Sequence, residues 1–156
     1  MTIYENLKLD HQLCFALYAA THAVTRAYRD GLEQAGLTYT QYLVMMVLWE
    51  KDNISVGTIA QRLDLDSATL TPMLKRLETA GFIARKRNKD DERVVEISLT
   101  KAGDELQEII AKVQHGVECQ TSLCNEEFIQ LRNSLQNLVV SMSKDAKLKV
   151  VAQFKQ

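Results

Sequence analysis

Three cysteines are the residues of this sequence with the most distinctive chemistry. Cys14 lies in the stretch LDHQLCFALY, near the predicted start of a long helix, and the other two thiols are Cys119 and Cys124. The N–H groups and dipole of a helix N-terminus favour a thiolate, which is the nucleophilic and oxidisable form of cysteine. Cys14 is therefore a candidate redox centre, although a cysteine on an apolar helix also serves as a small core residue.

A short basic segment lies far from Cys14 in the sequence. Residues 75–93 contain seven Lys or Arg and four Asp or Glu, in a chain whose net charge is −1. A local excess of positive charge is what phosphate binding requires. Taken alone, the segment is explained equally well as a solvated charged surface.

Length and composition limit the class of protein. The chain has 156 residues, of which 46% are hydrophobic and 25% charged, and this is enough for one hydrophobic core. We expect a cytoplasmic protein without a membrane segment, because there is no leader and no run of roughly 20 apolar residues. Thiols stay reduced in that compartment, so packing, metal and redox roles are open to the cysteines. Histidines and cysteines show no paired short spacing, so we expect no metal and no cofactor.

Helical periodicity predicts two helices before the basic segment. The first runs from Asp10, taken as its N-cap, to about residue 35, and Gly36 ends it in a left-handed conformation. Its apolar stripe consists of Leu13, Leu17, Ala20, Val24 and Ala27. The second helix, TYTQYLVMMVLWE, is almost wholly apolar, which predicts that it is buried.

The basic segment falls on a helix-turn-helix followed by a hairpin. Residues 58–63 and a stretch starting near residue 68 or 69 are predicted as short helices, because Pro72 is expected close to a helix start. After Gly81 the period becomes that of strands in FIARKR and RVVEISLT, separated by NKDDE. A two-stranded hairpin with a charged tip directly after a recognition helix is a wing.

Two further helices complete the chain, with Thr100 and Asn125 as their predicted caps. Together with the first helix they carry more apolar surface than a winged-helix core covers, so we expect them to form a dimer interface. The predicted fold is mainly α, a winged helix-turn-helix whose N- and C-terminal helices form a dimerisation region. Residues 1–156 form one domain, in which 1–50 and 101–156 are mainly dimerisation helices and 54–100 are the winged helix-turn-helix.

These stretches resemble a known family. ISVGTIAQRLDLDSATLTPMLKRLETAGFIARKRNKDDERVVEISLTKAG resembles the winged helix-turn-helix of the multiple-antibiotic-resistance regulator (MarR) family, with Asp91-Glu92-Arg93 as its most specific element. LDHQLCFALYAATHAVTRAYR and LTYTQYLVMMVLWE resemble the organic hydroperoxide resistance regulators of that family. The resemblance implies a homodimeric repressor rather than an enzyme. It implies that the repressor binds double-stranded operator DNA and releases it when an organic hydroperoxide oxidises Cys14.

The resemblance also implies which residues contact DNA. Arg93 enters the minor groove with Asp91 orienting it, and hydroxyls at the start of the recognition helix suit phosphates. For any single lysine, a solvated surface charge is an equally good interpretation. The implied contacts are Ser67, Thr69, Thr71, Lys75, Arg76, Arg85, Lys86, Arg87, Asp91 and Arg93.

Spacing restricts how a redox site around Cys14 could be built. Tyr28 is 14 residues from Cys14, about 21 Å along a helix, and cannot touch it within one chain. The resemblance implies two antiparallel first helices, with Tyr18, Tyr28 and Tyr39 donating hydrogen bonds to the thiolate. It further implies that Cys119 of the other subunit condenses with a Cys14 sulfenic acid to a disulfide, and Cys124 is a spare thiol or a competitor.

Other interpretations stay open at this point. A repressor of the same fold could release DNA on binding a non-covalent small molecule, with Cys14 structural. A thiol peroxidase is disfavoured, because the sequence has neither a C-x-x-C motif nor a thioredoxin-like βαβ pattern. A helical bundle that only binds other proteins would leave the hairpin and Arg93 without a role.

Overall fold

The computed structural model describes residue 4, residues 7–88 and residues 94–143. A short 3₁₀ turn at Leu9–His11 precedes the regular elements, which confirm a mainly α chain with a winged helix-turn-helix. In chain order these are α1 (Leu13–Gln34), α2 (Tyr39–Glu50), β1 (Ile54–Ser55), α3 (Val56–Leu63), α4 (Ser67–Thr79), β2 (Ile83–Arg87), β3 (Val95–Leu99), α5 (Lys101–Gln120) and α6 (Asn125–Met142).

The core is built around α2. Val44, Met45 and Leu48 of this helix are fully buried, as its apolar sequence predicts. Leucines of α4 and isoleucines of α3, β2 and β3 pack around them, and these are Ile59, Leu70, Leu74, Leu77, Ile83 and Ile97. The helix-turn-helix and the wing thus share one core with α2, which fixes the position of the recognition helix.

The wing is part of a three-stranded antiparallel sheet in the order β1-β3-β2. Strand β3 is central, and Ile97 pairs with Ile54 of β1 on one side and with Arg85 of β2 on the other. The Asp52 carboxylate accepts the N–H of Leu99 at 2.8 Å, which ties the α2–β1 loop to the base of the hairpin. The hairpin therefore leaves the body in a defined direction.

The structure contradicts the predicted N-cap of α1 and confirms the glycine predicted to end it. Asp10 is not the N-cap of α1, because the 3₁₀ turn ends with the Gln12 N–H bonded to the Leu9 carbonyl. Gln12 is extended and begins α1 without a side-chain cap, so Cys14 is the second helical residue rather than the fourth. Gly36 does follow α1 with a φ of 74°, a conformation that glycine adopts without strain.

Helices α4 and α6 begin earlier than predicted, whereas α1 begins later. Asp66 caps α4 by accepting the Thr69 N–H at 2.6 Å, so the helix starts at Ser67 and Pro72 lies inside it. The loss of one N–H bond at Pro72 does not end a helix that packs three leucines into the core. Cys124, and not Asn125, is the N-cap of α6, because the Glu127 carboxylate accepts the Cys124 N–H at 3.0 Å. The predicted Thr100 cap of α5 is confirmed.

Much apolar surface of α1 and α6 stays exposed in the single chain. No residue of α6 is buried, and Leu131 and Val139 are 50% and 49% exposed. Leu13 and Val24 of the predicted α1 stripe are 61% and 39% exposed. None of the helices in the described part of the chain is long and apolar enough to cross a membrane.

Candidate nucleic-acid interface and thiol site

The recognition helix α4 has one buried and one open face. Leu70, Leu74 and Leu77 fill the core, and the residues between them are mostly exposed. The backbone hydrogen bond from Thr69, assisted by its side chain, holds the pKa of the Asp66 cap below its usual value. An ionised cap at the N-terminus stabilises the helix through its dipole, so the exposed face is rigidly presented.

The predicted DNA-contacting residues of α4 all lie on its exposed surface. Ser67, Thr69, Thr71, Lys75 and Arg76 are exposed. The Thr71 hydroxyl donates to the Ser67 carbonyl at 2.7 Å and keeps oxygen lone pairs that can accept from a ligand. Lys75 and Arg76 also border an open depression of about 440 Å³ with Pro72, Thr79 and Ala80. This surface can offer cations and hydroxyls to a phosphate backbone.

The wing continues the positive surface. Lys86 and Arg87 are exposed at the outer end of β2. Arg85 is half-buried and lies 3.9 Å from the Glu78 carboxylate of α4, so part of its charge is neutralised within the protein. Of the predicted wing residues, Asp91 and Arg93 lie outside the described residues.

The start of α5 is fastened to the wing and to α2. The Thr100 hydroxyl donates to the Gly81 carbonyl at 2.6 Å and accepts the Gly103 N–H at 3.1 Å. The Trp49 indole donates to the Gly103 carbonyl at 2.9 Å. A Cβ on Gly103 would lie 2.0 Å from the Phe82 carbonyl oxygen, so only glycine fits this contact. These contacts join the first turn of α5 to the base of the hairpin and to α2.

Cys14 is exposed and free at the first turn of α1. Tyr18 lies one turn further along the same helix, is 62% exposed, and packs edge-on against His22 with ring centroids 4.3 Å apart. No hydrogen bond joins the Cys14 sulfur to any residue that the structure describes. The thiol is thus accessible to a second molecule.

Tyr28 and Tyr39 meet at the other end of α1, where Tyr42 joins them. The Tyr28 ring stacks on Tyr42 with centroids 5.3 Å apart, and Tyr39 lies 5.6 Å from Tyr28. Tyr42 was not among the predicted site residues, because in the sequence it is one of many apolar positions of α2. We call Tyr28, Tyr39 and Tyr42 the tyrosine cluster.

Two phenols of this cluster, those of Tyr39 and Tyr42, have a raised pKa. Burial raises the pKa of Tyr39, and the neighbouring Tyr28 adds to the effect. Burial, followed by a hydrogen bond with Tyr28, raises the pKa of Tyr42 strongly. Tyr39 and Tyr42 are therefore neutral at pH 7, and a neutral phenol can donate a hydrogen bond to an anion.

A cavity of about 310 Å³ opens beside Tyr39, between α1 and the start of α2. His22, Arg26 and Arg29 are among its lining residues, and neither arginine has an ion-pair partner within the described residues. Sequence reasoning missed these cations because they are remote from Cys14 along α1. Glu33 also lines the cavity, so its two arginines leave a net positive charge beside the Tyr39 phenol.

The two other cysteines lie near the corner between α5 and α6. Cys119 is exposed on α5, and its sulfur is 3.8 Å from Nε2 of His115. Cys124 is exposed at the α6 N-cap, where hydrogen bonds from its backbone and side chain lower the pKa of Glu127. Residues 7–88 and 94–143 contain no group of three or more His, Cys, Asp or Glu that could hold a metal ion.

Helices α1 and α5 pack in opposite directions, which fixes the separation of Cys14 and Cys119. Gly31 faces Val113, since an added Cβ would lie 2.6 Å from the valine. Val24 lies beside Thr121 in the lining of one apolar cavity. Cys119 therefore lies beside the part of α1 near residue 25. Measured along the α1 axis, this position is at least about 17 Å from Cys14. A disulfide needs Cα atoms within about 7 Å, so the two thiols cannot pair within one chain in this conformation.

Residues 26–110, more than half of the chain, match the family model of the transcriptional regulator SarA/Rot. The chain belongs to the SarA/Rot family of MarR-like winged-helix transcriptional regulators. As a member of this family, it is a DNA-binding transcriptional regulator.

Relatives of this SarA/Rot family member include redox-related regulators. The organic hydroperoxide resistance transcriptional regulator of Bacillus subtilis is 40% identical over 139 residues, which cover 89% of this chain and 95% of the relative. Reduced AbfR bound to DNA has a TM-score of 0.72 and 36% identity, covering 89% of this chain and 96% of AbfR. Disulfide-formed AbfR has a TM-score of 0.62 and 38% identity, covering 86% and 95%. AbfR is from Staphylococcus epidermidis.

Proposed function

We propose that the protein is a homodimeric repressor that releases operator DNA when an organic hydroperoxide oxidises Cys14. The observation that carries this proposal is the arrangement of the tyrosine cluster. The three rings pack together at one end of α1, where Tyr39 lines an open cavity shared with Arg26, Arg29 and Glu33. The exposed Cys14 lies at the other end. Two antiparallel copies of α1 bring the cluster of one subunit to the thiol of its partner.

A second copy of the chain also accounts for the exposed apolar surface. Helix α6 has no buried residue, and Val24 of α1 and Leu131, Leu135 and Val139 of α6 line an apolar cavity of about 350 Å³. Exposed apolar surface of this extent marks an interface. In this dimer, residues 1–50 and 101–156 are mainly dimerisation helices, and residues 54–100 are the winged helix-turn-helix that binds DNA.

The oxidation begins with the Cys14 thiolate. The thiolate attacks one peroxide oxygen, the O–O bond breaks, and an alcohol leaves while the sulfur becomes a sulfenic acid. Tyr18 of the same chain, together with Tyr28 and Tyr39 of the partner, donates hydrogen bonds to the thiolate. Tyr42 supports Tyr28, and Arg26 and Arg29 add positive charge that favours an anion in the cavity.

The sulfenic acid then condenses with Cys119 of the partner subunit. The separation of at least about 17 Å within one chain favours a bond between subunits. Disulfide-formed AbfR supports the existence of such chemistry among relatives. Because Cys124 is engaged with Glu127 at the α6 cap, Cys119 is the resolving thiol and Cys124 is not.

Movement of α5 links the disulfide to DNA release. The recognition helices of a two-fold dimer must lie about 34 Å apart to enter successive major grooves. A bond at Cys119 pulls on α5, whose first turn is fastened to the wing through Thr100 and Gly103. The proposed DNA contacts are Ser67, Thr69, Thr71, Lys75, Arg76, Arg85, Lys86, Arg87, Asp91 and Arg93.

Release of operator DNA by variants that each lack one cysteine tests the proposal. The probe is a duplex selected from a random DNA library with the reduced protein, followed by fluorescence anisotropy. One equivalent of cumene hydroperoxide should weaken binding of the wild type by at least about tenfold, or 1.4 kcal/mol. Cys14→Ser should bind the duplex and keep it, whereas the matched variant Cys124→Ser should release it like the wild type. Release by Cys14→Ser would contradict the proposal.

A further inference from the structure

His115 and Cys119 form a pair on the outer side of α5. The imidazole Nε2 lies 3.8 Å from the Cys119 sulfur, and the two exposed residues are one helical turn apart. Val113 and Val117 of α5 face the core on the other side of the helix. The pair is therefore open to an approaching sulfur from another subunit.

The charged neighbours of this pair are engaged elsewhere. Lys112, one turn before His115, is 3.0 Å from the carboxylate of Glu108. Glu118 accepts the side-chain N–H of Gln114 at 3.2 Å. Helix α1 packs at Val113, on the side of α5 away from His115. The imidazole is thus the basic group in contact with the Cys119 sulfur among the residues that the structure describes.

Cys124 has the opposite surroundings. Its backbone N–H donates to the Glu127 carboxylate at 3.0 Å, and Glu126 is the other acidic residue in the first turn of α6. These neighbours are carboxylates, which are weaker bases than the imidazole beside Cys119. Of the two C-terminal thiols, only Cys119 therefore has a neighbour that can accept its proton.

We infer that His115 accepts the proton of Cys119 and so makes it the nucleophile that resolves the Cys14 sulfenic acid, an inference that rests on the proposed function. The Cys119 thiolate attacks the Cys14 sulfur of the partner subunit, the S–S bond forms and the S–O bond breaks. Hydroxide leaves and takes the proton from the imidazolium, which yields water. The Cys119 sulfur is oxidised and the Cys14 sulfur is reduced, with the hydroperoxide as the original oxidant.

The size of the effect follows from the ionised fraction of a thiol. An unassisted cysteine is about 3% thiolate at pH 7, so a neighbouring base can raise its reactivity by at most about thirtyfold. Because the pair is exposed to water, the gain is smaller than this limit. We expect removal of the imidazole to lower the reaction rate of the Cys119 thiol at pH 7 by about fivefold to tenfold.

The experiment measures alkylation of Cys119 by iodoacetamide in the full-length chain with Cys14→Ser and Cys124→Ser, so that Cys119 is the sole thiol. Rates are followed by intact mass with His115 present, with His115→Ala and with His115→Asn. Both His115 variants should react about fivefold to tenfold more slowly at pH 7 and equally fast near pH 10, where any thiol is ionised. Lys112→Ala, an exposed change on the same side of α5, should react like the parent.

Two results would overturn the inference. One is an equal rate at pH 7 with and without His115, and the other is a slower rate that persists near pH 10, since that indicates altered access and not altered ionisation. In protein that keeps Cys14, the His115→Asn variant should form sulfenic acid at the wild-type rate and the disulfide more slowly. Retained hydroperoxide release by Cys14→Ser would contradict the proposed function alone, because the alkylation rates do not depend on Cys14.

Discussion

Mixed dimers can determine whether Cys14 and Cys119 pair between subunits. One chain carries Cys119→Ser, the other Cys14→Ser, and both carry Cys124→Ser, so that each keeps one reactive thiol. Within one chain the two sulfurs are at least about 17 Å apart along α1, and a disulfide tolerates about 7 Å between Cα atoms. A bond within a chain would therefore require a shift of more than about 10 Å.

Random exchange of subunits should produce mixed dimers in about half of the population, and each contains one Cys14 facing one Cys119. One equivalent of cumene hydroperoxide, followed by non-reducing electrophoresis and intact mass, should link up to about half of the chains in the mixture. Neither variant alone should give a linked product. An oxidised wild type that migrates as a single chain with an internal disulfide, or a mixture that forms no link, would refute the reasoning.

Three further predictions concern the recognition helix and α5. Lys75→Ala should weaken binding to all duplexes alike. It should also reduce the slope of log binding constant against log salt concentration by about one per subunit, measured by anisotropy at several salt concentrations. An unchanged slope would exclude a phosphate contact at Lys75. Gly103→Ala should lower the free energy of unfolding in urea by about 3 kcal/mol or more, because its Cβ would lie 2.0 Å from a backbone oxygen. The matched Gly116→Ala, with nothing within 4 Å, should gain about 0.5–1 kcal/mol, and equal effects would contradict this packing. The pKa of Asp66 is lowered from 3.8 in the folded chain, so its stabilisation is present above that value and is lost as pH falls through the lowered pKa. Asp66→Asn should therefore reduce the acid sensitivity of unfolding, followed by circular dichroism.

Local patterns of the sequence predicted most of the fold. The apolar run of α2, the change of period after Gly81 and the Thr100 cap all have their physical cause within a few residues, and the structure confirms them. The start of α4 at Ser67 differs from prediction because Pro72 was expected close to a helix start, whereas the helix contains it. The start of α6 at Asn125 differs because Cys124, and not Asn125, is the N-cap.

The candidate site was predicted less completely. Tyr28 and Tyr39 were identified from the family resemblance, but Tyr42 was hidden in an apolar helix. Tyr42 lies one turn from Tyr39 in α2, and the packing of α1 on α2 brings the Tyr28 ring to both. Arg26 and Arg29 face a cavity that no pattern in α1 indicates. The contact between His115 and Cys119 has the spacing of one helical turn, so the sequence contained a signal for it that was overlooked.

The sequence by itself determined the winged helix-turn-helix, the position of a thiol near the start of α1 and the excess of apolar helical surface. These features depend on residue type and on spacing along one element. Only the tertiary structure decided that Cys14 and Cys119 lie far apart within a chain, because this distance depends on the antiparallel packing of α1 on α5. It also decided that the base of the wing packs against Gly103 of α5. The Phe82 carbonyl oxygen occupies the space where a side chain at position 103 would lie, and no pattern in the sequence indicates this contact.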